Sequence, residues 1–305
     1  MPTLIEKLSA AAALKEAQIA ARSHFTSEPV SARMHPDQGM FSRTIIVTLA
    51  ENKEVIVQLK DNELDTTKIA LARSLLGEVV PDVHAAKPSK VYFAYVAPFI
   101  QGVLWGKGDW SLHQEINAAA QIARLLSKCS LGIDSAGIVD YYVLPRLQKI
   151  LEKEDISDEL RVRLEKLCGL ADQLKMLRLC LCHVDINVMN VILNDDAEVV
   201  GLLDWEMASL LPLGMNACCI RELAIPNFSG KDRVLEKSQP MVEAFWKEFT
   251  ANFSADVQPV LIIAMQIGMV FRTFYEGITV APNVLSALPE RLDWFEHCLG
   301  PLVGT

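Results

Sequence analysis

The chain has 305 residues, a formal net charge of −9 and a composition in which 51% of residues are hydrophobic. That length suits one large domain or two lobes sharing a core, and the apolar content excludes extended disorder. The acidic balance argues against nucleic acid as the main partner, because a phosphate backbone needs clustered Lys and Arg; it fits a small cationic or neutral ligand better.

The first segment, MPTLIEKLSAAAALKEAQIAARSHF, predicts an amphipathic helix. Glu6, Lys7, Lys15 and Glu16 interrupt the apolar stretch that a secretory signal would need. Residues 44–49 and 55–60 are β-branched runs joined by the polar Glu51-Asn52-Lys53, which predicts an antiparallel hairpin. Asp37-Gln38-Gly39 marks a turn before it. A helix is expected over Thr66–Leu76, closed by Gly77. Residues 91–96 predict a further strand, broken off at Pro98 and Gly102.

Beyond Gly102 the pattern turns helical. Ser111 and Gln114 form a capping box, and Leu112, Ile116, Ala119, Ala123 and Leu126 make one apolar stripe. Leu160, Leu164, Leu167, Ala171 and Leu174 make another. Residues 177–203 return to short strands, and from about Met215 the chain reads as mainly helical. The apolar run 260–271 is too short to cross a bilayer and predicts a buried helix. Seven cysteines without framework spacing predict reduced thiols, hence a soluble cytoplasmic protein with no membrane partner.

The chemistry concentrates in HVDINVMN, His183 to Asn190. Residues 191–193 and 199–203 flank the turn Asn194-Asp195-Asp196-Ala197-Glu198 and predict a hairpin whose second strand ends at Asp204. A hairpin returns the chain to its start, so Asp185, Asn190 and Asp204 are expected to converge. Two carboxylates and one carboxamide suit Mg²⁺, which takes oxygen ligands and keeps room for water and phosphate oxygens. Phosphoryl transfer also needs a carboxylate that orients the attacking hydroxyl and takes its proton. Asp185 is expected in that role, Asn190 and Asp204 as metal ligands, and His183 as the catalytic-loop brace.

His183-x-Asp185-x-x-x-x-Asn190, followed by a strand ending in Asp204, resembles the catalytic loop and metal segment of the aminoglycoside phosphotransferase and choline kinase superfamily. GLLDWEMASLLPLGMN, with Asp204, Trp205, Pro212, Gly214 and Met215, is most similar to the fungal members. The resemblance implies an α+β, protein-kinase-like, two-lobed fold. Residues 1–97 would form a small antiparallel β-rich nucleotide-binding lobe, and 98–305 a larger helical lobe with the catalytic loop and substrate site. It further implies ATP and Mg²⁺ as cofactors. Adenine would meet the backbone of a linker from Tyr95 through Ala97 to Phe99, and the turn around Gly39, with Ser42 and Arg43, would cover the phosphates.

The sequence departs from the family at the phosphate-holding position. The resemblance implies a Lys or Arg on the strand over 55–60 and a Glu on the next helix. The best register puts Gln58 there, with Lys60 on the same face. Lys60 either reaches in from one pleat away or ends the strand in solvent. Lys68 stands near the expected Glu, with Glu63 and Asp65 as substitutes. The expected activity is transfer of the γ-phosphoryl group to a hydroxyl of a small molecule. Glu206, Glu222, Glu276 and Asp293, near Tyr275 and Trp294, offer a cationic acceptor a site. The alternative is a degenerate kinase-like protein that binds a ligand, acts as a scaffold or does other chemistry. Cys180, Cys182 and His183 offer a zinc reading that strand alternation opposes, since it sends His183 to the other side.

Overall fold

The structure, a computed structural model, describes residues 8–39, 42–86, 92–225, 238–275 and 280–304, and the backbone alone at 227–228 and 231–232. Residues 1–7 of the expected first helix, Val91 and Glu276 lie outside the described residues. The chain divides into two units, one ending at Gln101 and the other starting at Gly102.

The first unit is a helix on an antiparallel sheet. Helix α1 (Ala10–His24) begins at Ser9, whose Oγ accepts the Ala12 N–H. Strands β1 (Pro29–Met34), β2 (Arg43–Leu49), β3 (Glu54–Lys60), β4 (His84–Ala85) and β5 (Phe93–Pro98) lie in the order β1-β2-β3-β5-β4. The β2–β3 hairpin turns at Asn52, which takes a positive φ of 58°. Alternation then sorts the strands. Ile45, Val47 and Leu49 of β2 and Val55, Val57 and Leu59 of β3 pack against Ala13, Ala17, Ala20 and Ala21 of α1. Burying each large side chain contributes about 1.5–3 kcal/mol, and the alanine face lets the helix lie close to the sheet. Helix α2 (Thr66–Leu76) starts at Asp65, whose Oδ1 accepts the Thr67 N–H at 3.1 Å, and stops at Gly77, with φ 74°.

The second unit opens with β6 (Val103–Leu104), which pairs with β9 (Val191–Leu193), itself paired with β10 (Val199–Leu202). Gly102 permits this pairing: a Cβ there would stand 2.5 Å from the Leu193 carbonyl oxygen. Helix α3 (Leu112–Ser127) carries the reciprocal Ser111–Gln114 capping box and packs on α7 (Ser238–Thr250). Leu112, expected in its apolar stripe, is 48% exposed, and Glu115 is the buried residue of that first turn. Strands β7 (Ser130–Asp134), β8 (Arg178–Cys182) and β11 (Ser209–Pro212) form a second small sheet, with β8 central. A π-helical turn, Val139–Val143, leads into α4 (Leu144–Leu151). Helix α5 (Asp158–Leu170) buries Leu160, Leu164 and Leu167, and the 3-10 turn Ala171–Met176 continues the stripe. Helices α6 (Cys219–Ala224), α8 (Gln258–Thr273) and α9 (Pro282–Leu299) complete the unit. Among the described residues no helix is long and apolar enough to cross a membrane.

Candidate active site

β8 carries the apolar Leu181 and Cys182 into the core, and His183 follows at 1% exposure. The His183 Nε2 donates to the Leu203 carbonyl at 2.6 Å, and its Nδ1 accepts the Asp185 N–H at 3.2 Å. A neutral ring protonated on Nε2 satisfies both partners. Burial lowers the His183 pKa, against the upward pull of the Leu203 carbonyl and the Asp185 carboxylate. Trp205 meets the ring edge to face, with centroids 4.7 Å apart. His183 is therefore a brace, and neither ring nitrogen is left for zinc. Burial also pushes the Cys180 thiol up, and that of Cys218 to about 12, so both stay protonated.

The loop after His183 closes on its own side chains. The Asn187 Oδ1 accepts the Met189 N–H at 2.8 Å, and the Asn190 N–H donates to the Asn187 carbonyl at 2.9 Å. The Asn190 Nδ2 donates to the Asp185 carbonyl at 2.8 Å and faces its Oδ2 at 3.4 Å. With the amide nitrogen committed to Asp185, the Asn190 Oδ1 points away from it. The Gly106 N–H donates to the Val188 carbonyl at 2.9 Å and supports the loop from the segment after β6.

Leu203 joins the two halves of the site. Its carbonyl receives His183, and its N–H donates to the Asn190 carbonyl at 2.8 Å. Asp204 comes next, exposed, at φ 65° and ψ 56°. This left-handed conformation is uncommon outside glycine and best tolerated by Asn and Asp. It turns the chain from β10 into the 3-10 turn Trp205–Met207, where the Trp205 indole N–H donates to the Leu202 carbonyl at 2.9 Å. Asp185 and Asn190 thus touch directly, and the residue before Asp204 is tied to Asn190 and His183. Among the described residues no three His, Cys, Asp or Glu side chains converge as a metal centre. The Asp204 carboxylate and the Asn190 amide oxygen are groups of the kind that could hold Mg²⁺, which takes few protein ligands and fills its shell with water and phosphate.

One member of the site was missed in the sequence. The Arg272 Nη2 lies 2.8 Å from the Asp185 Oδ1, and its Nη1 donates to the Ile186 carbonyl at 3.4 Å. Arg272 closes α8, a helix with no other charged residue, and that isolation was its only signal. Gly268, one turn earlier, allows α8 to approach: a Cβ there would stand 2.0 Å from the Met215 carbonyl oxygen. Burial alone would lower the Arg272 pKa, but Glu222 and Asp185 outweigh it and raise it. Glu222, expected to face a cationic ligand, instead faces Arg221 at 3.5 Å and Arg272 and Arg291 at 3.9 Å. Asp293 pairs through both carboxylate oxygens with Arg163. Glu206 lies in the 3-10 turn after Asp204.

In the first unit, Gln58 and Lys60 share the β3 face opposite α1. Lys60 is 8% exposed, which removes the solvated alternative. Ser42 is buried, with its Oγ 3.5 Å from the Thr44 Oγ1. The loop before it is stapled by Gln38, whose side chain donates to the His35 and Thr44 carbonyls and accepts the Thr44 N–H. Asp65 is committed to its helix cap, and its pKa is lowered first by the Thr67 hydroxyl. Tyr95 and Ala97 lie in β5, not in a linker, opposite Gln58 and Ile56 of β3. The Phe99 N–H donates to Glu54 of β3, whereas the Ala94 carbonyl accepts from Ala86 on the β4 side. By alternation the backbone groups of Tyr95 and Ala97 face β3, which corrects the expectation that they would read adenine.

The helix-backed antiparallel sheet, the mainly helical second unit and this loop define the class: a protein-kinase-like fold. Among solved structures the chain is similar to a choline/ethanolamine kinase family protein from Mesorhizobium loti, at 11% identity and TM-score 0.63 over 92% of this chain and 94% of that one. It is also similar to a Plasmodium vivax ethanolamine kinase, at 12% and 0.55 over 85% and 82%. A third similarity is to a spectinomycin phosphotransferase in complex with ADP and spectinomycin, at 13% and 0.52 over 93% and 94%. No curated protein matches the sequence. The profile of the phosphotransferase enzyme family matches residues 42–215, more than half of the chain, and the chain belongs to that family.

Proposed function

We propose that the protein is an ATP- and Mg²⁺-dependent kinase that moves the γ-phosphoryl group to a hydroxyl of a small molecule. The observation that carries this reading is the contact between Asp185 and Asn190, with Leu203 tying the latter to the residue before Asp204. Asp185 orients the acceptor hydroxyl and takes its proton, and His183 holds the loop in register. Asn190 and Asp204 hold Mg²⁺, which when bound neutralises charge developing on the phosphates. Positioning and preorganised electrostatics supply most of the rate enhancement.

In the first unit, Lys60 and Gln58 contact phosphate, with Ser42 under the loop that covers it. Adenine meets the end of β5 past Ala97, where the two-residue β4 has ended. We read the pattern from Asp204 to Met215 as resembling fungal members of the family. The seven free thiols support a cytoplasmic setting. A cationic acceptor, suggested by the ethanolamine and choline kinases among the structural relatives, would have to take Glu222 from three arginines.

Phosphate transfer from ATP across a library of alcohols tests the proposal. Asp185→Ala should lower turnover by roughly 10²–10⁴-fold, the usual contribution of a positioned general base, with the fold retained by circular dichroism. Near-wild-type transfer in that variant would overturn the assignment. A second reading is a kinase-like protein that no longer transfers phosphate. Gln58 at the position of a cation and Arg272 against Asp185 favour it. ATP binding without turnover on any acceptor would select it.

A further inference from the structure

We propose that the acceptor carries an anionic oxygen group, a carboxylate or phosphate monoester, which Arg272 and Arg291 hold in a cavity beside Asp185. The acceptor's role rests on the kinase reading above; the anion site rests on geometry within the second unit alone.

The cavity has a volume of about 280 Å³ and lies between the C-terminal turn of α8 and the start of α9. Met269 and Val284 give it an apolar wall, and Glu222, Thr273, Arg272 and Arg291 a polar one. Small-molecule pockets commonly run to roughly 300–1,000 Å³, so this one suits a compact ligand. Among the described residues its charged lining is two guanidinium groups to one carboxylate. That carboxylate, on Glu222, is held by Arg221, Arg272 and Arg291 at 3.5–3.9 Å. A cationic head group entering here would face fixed positive charge and compete with three guanidiniums for one acceptor. An anion meets the complementary field. Arginine is well suited to it, because its planar fork carries five N–H donors and matches carboxylate and phosphate geometry.

Arg272 also sets the distance. Its Nη2 is on the Asp185 Oδ1, so a group bound to the cavity side of the same guanidinium sits one guanidinium's width from the proposed base. A hydroxyl a few bonds from the anionic group then reaches Asp185. An apolar connecting segment has Met269 and Val284 to pack against. The ligand class is a short hydroxy acid or a phosphorylated polyol.

The test uses the full chain and matched sets of small hydroxyl compounds: hydroxycarboxylates, their uncharged amides, the corresponding amino alcohols, and phosphate monoesters. Binding is followed by calorimetry and thermal shift, with and without MgADP. The carboxylates or phosphate monoesters should bind in the millimolar range or tighter, and the amides and amino alcohols should not. Arg291→Gln should weaken acid binding about tenfold or more, the scale of one charge-assisted hydrogen bond; Arg291→Lys should restore part of it. Ala281→Phe, on the exposed rim, leaves the ion pairs in place and should block the cavity, which guards against misfolding of the arginine variant. Preference for the amino alcohols, acid binding equal in all variants, or no acid binding would each overturn the inference. Acid binding without MgADP binding or transfer would sink the kinase reading and leave the anion site standing. Transfer to uncharged or cationic acceptors alone would do the reverse.

Discussion

His183 shows how one buried side chain can hold a loop in register. Its ring donates to Leu203 and accepts from Asp185, and only a neutral imidazole can do both. Burial lowers its pKa in the folded chain, whereas an unfolded histidine titrates near about 6.5. Between those values the unfolded chain binds more protons, so stability should fall as the pH drops below about 6.5. Melting temperature measured against pH checks this, and the slope between about pH 5 and 6.5 should flatten in His183→Gln. His24, whose pKa burial and His84 also lower, adds to the slope with the same sign. If the variant kept the full wild-type slope, the ring would not be the buried neutral group described here.

At the scale of elements, helix α8 delivers Arg272 to Asp185, and Gly268 sets how close it comes. Alanine is the better helix former by about 1 kcal/mol, yet a Cβ at residue 268 would stand 2.0 Å from the Met215 carbonyl oxygen. Overpacking of this kind costs about 1–3 kcal/mol. Gly268→Ala should therefore lower the urea midpoint in spite of its helix propensity, and activity should fall as Arg272 shifts. An unchanged midpoint would show that α8 does not need this contact. The elements with local signals were legible in sequence. The β-branched runs of β2 and β3, the Asp65 and Gly77 boundaries of α2 and the Ser111–Gln114 box all have causes within a few residues. The Asp185–Asn190 contact was legible for the same reason, because the two residues lie five positions apart. β1, with the sequence PVSARM, and the two-residue β4 and β6 were not, since they exist only through the strands beside them. Tyr95 and Ala97 were misread because Pro98 ends β5 rather than interrupting a linker. Arg272 pairs with a residue 87 positions away, and no local pattern announces such a contact.

At the scale of the whole molecule, the nucleotide proposal makes both units answerable to one measurement. At a hundredfold excess over its dissociation constant, MgATP should stabilise the chain by about 2.7 kcal/mol. Chelating the metal should remove much of that gain. Asp204→Asn should weaken the Mg²⁺-dependent part, while Asn also accepts its left-handed backbone. A shift indifferent to Mg²⁺ in both proteins would remove Asp204 from the metal's ligands. The same region carries its own optical gauge. Trp205 lies at 2% exposure, edge-on to His183, with its indole N–H on Leu202. With the other four tryptophans changed to phenylalanine, its emission would report the state of the joint between the loop and the hairpin. Acid should dim it as the neighbouring imidazole takes a proton, and any ligand that shifts Asp204 should move its colour, without an added dye.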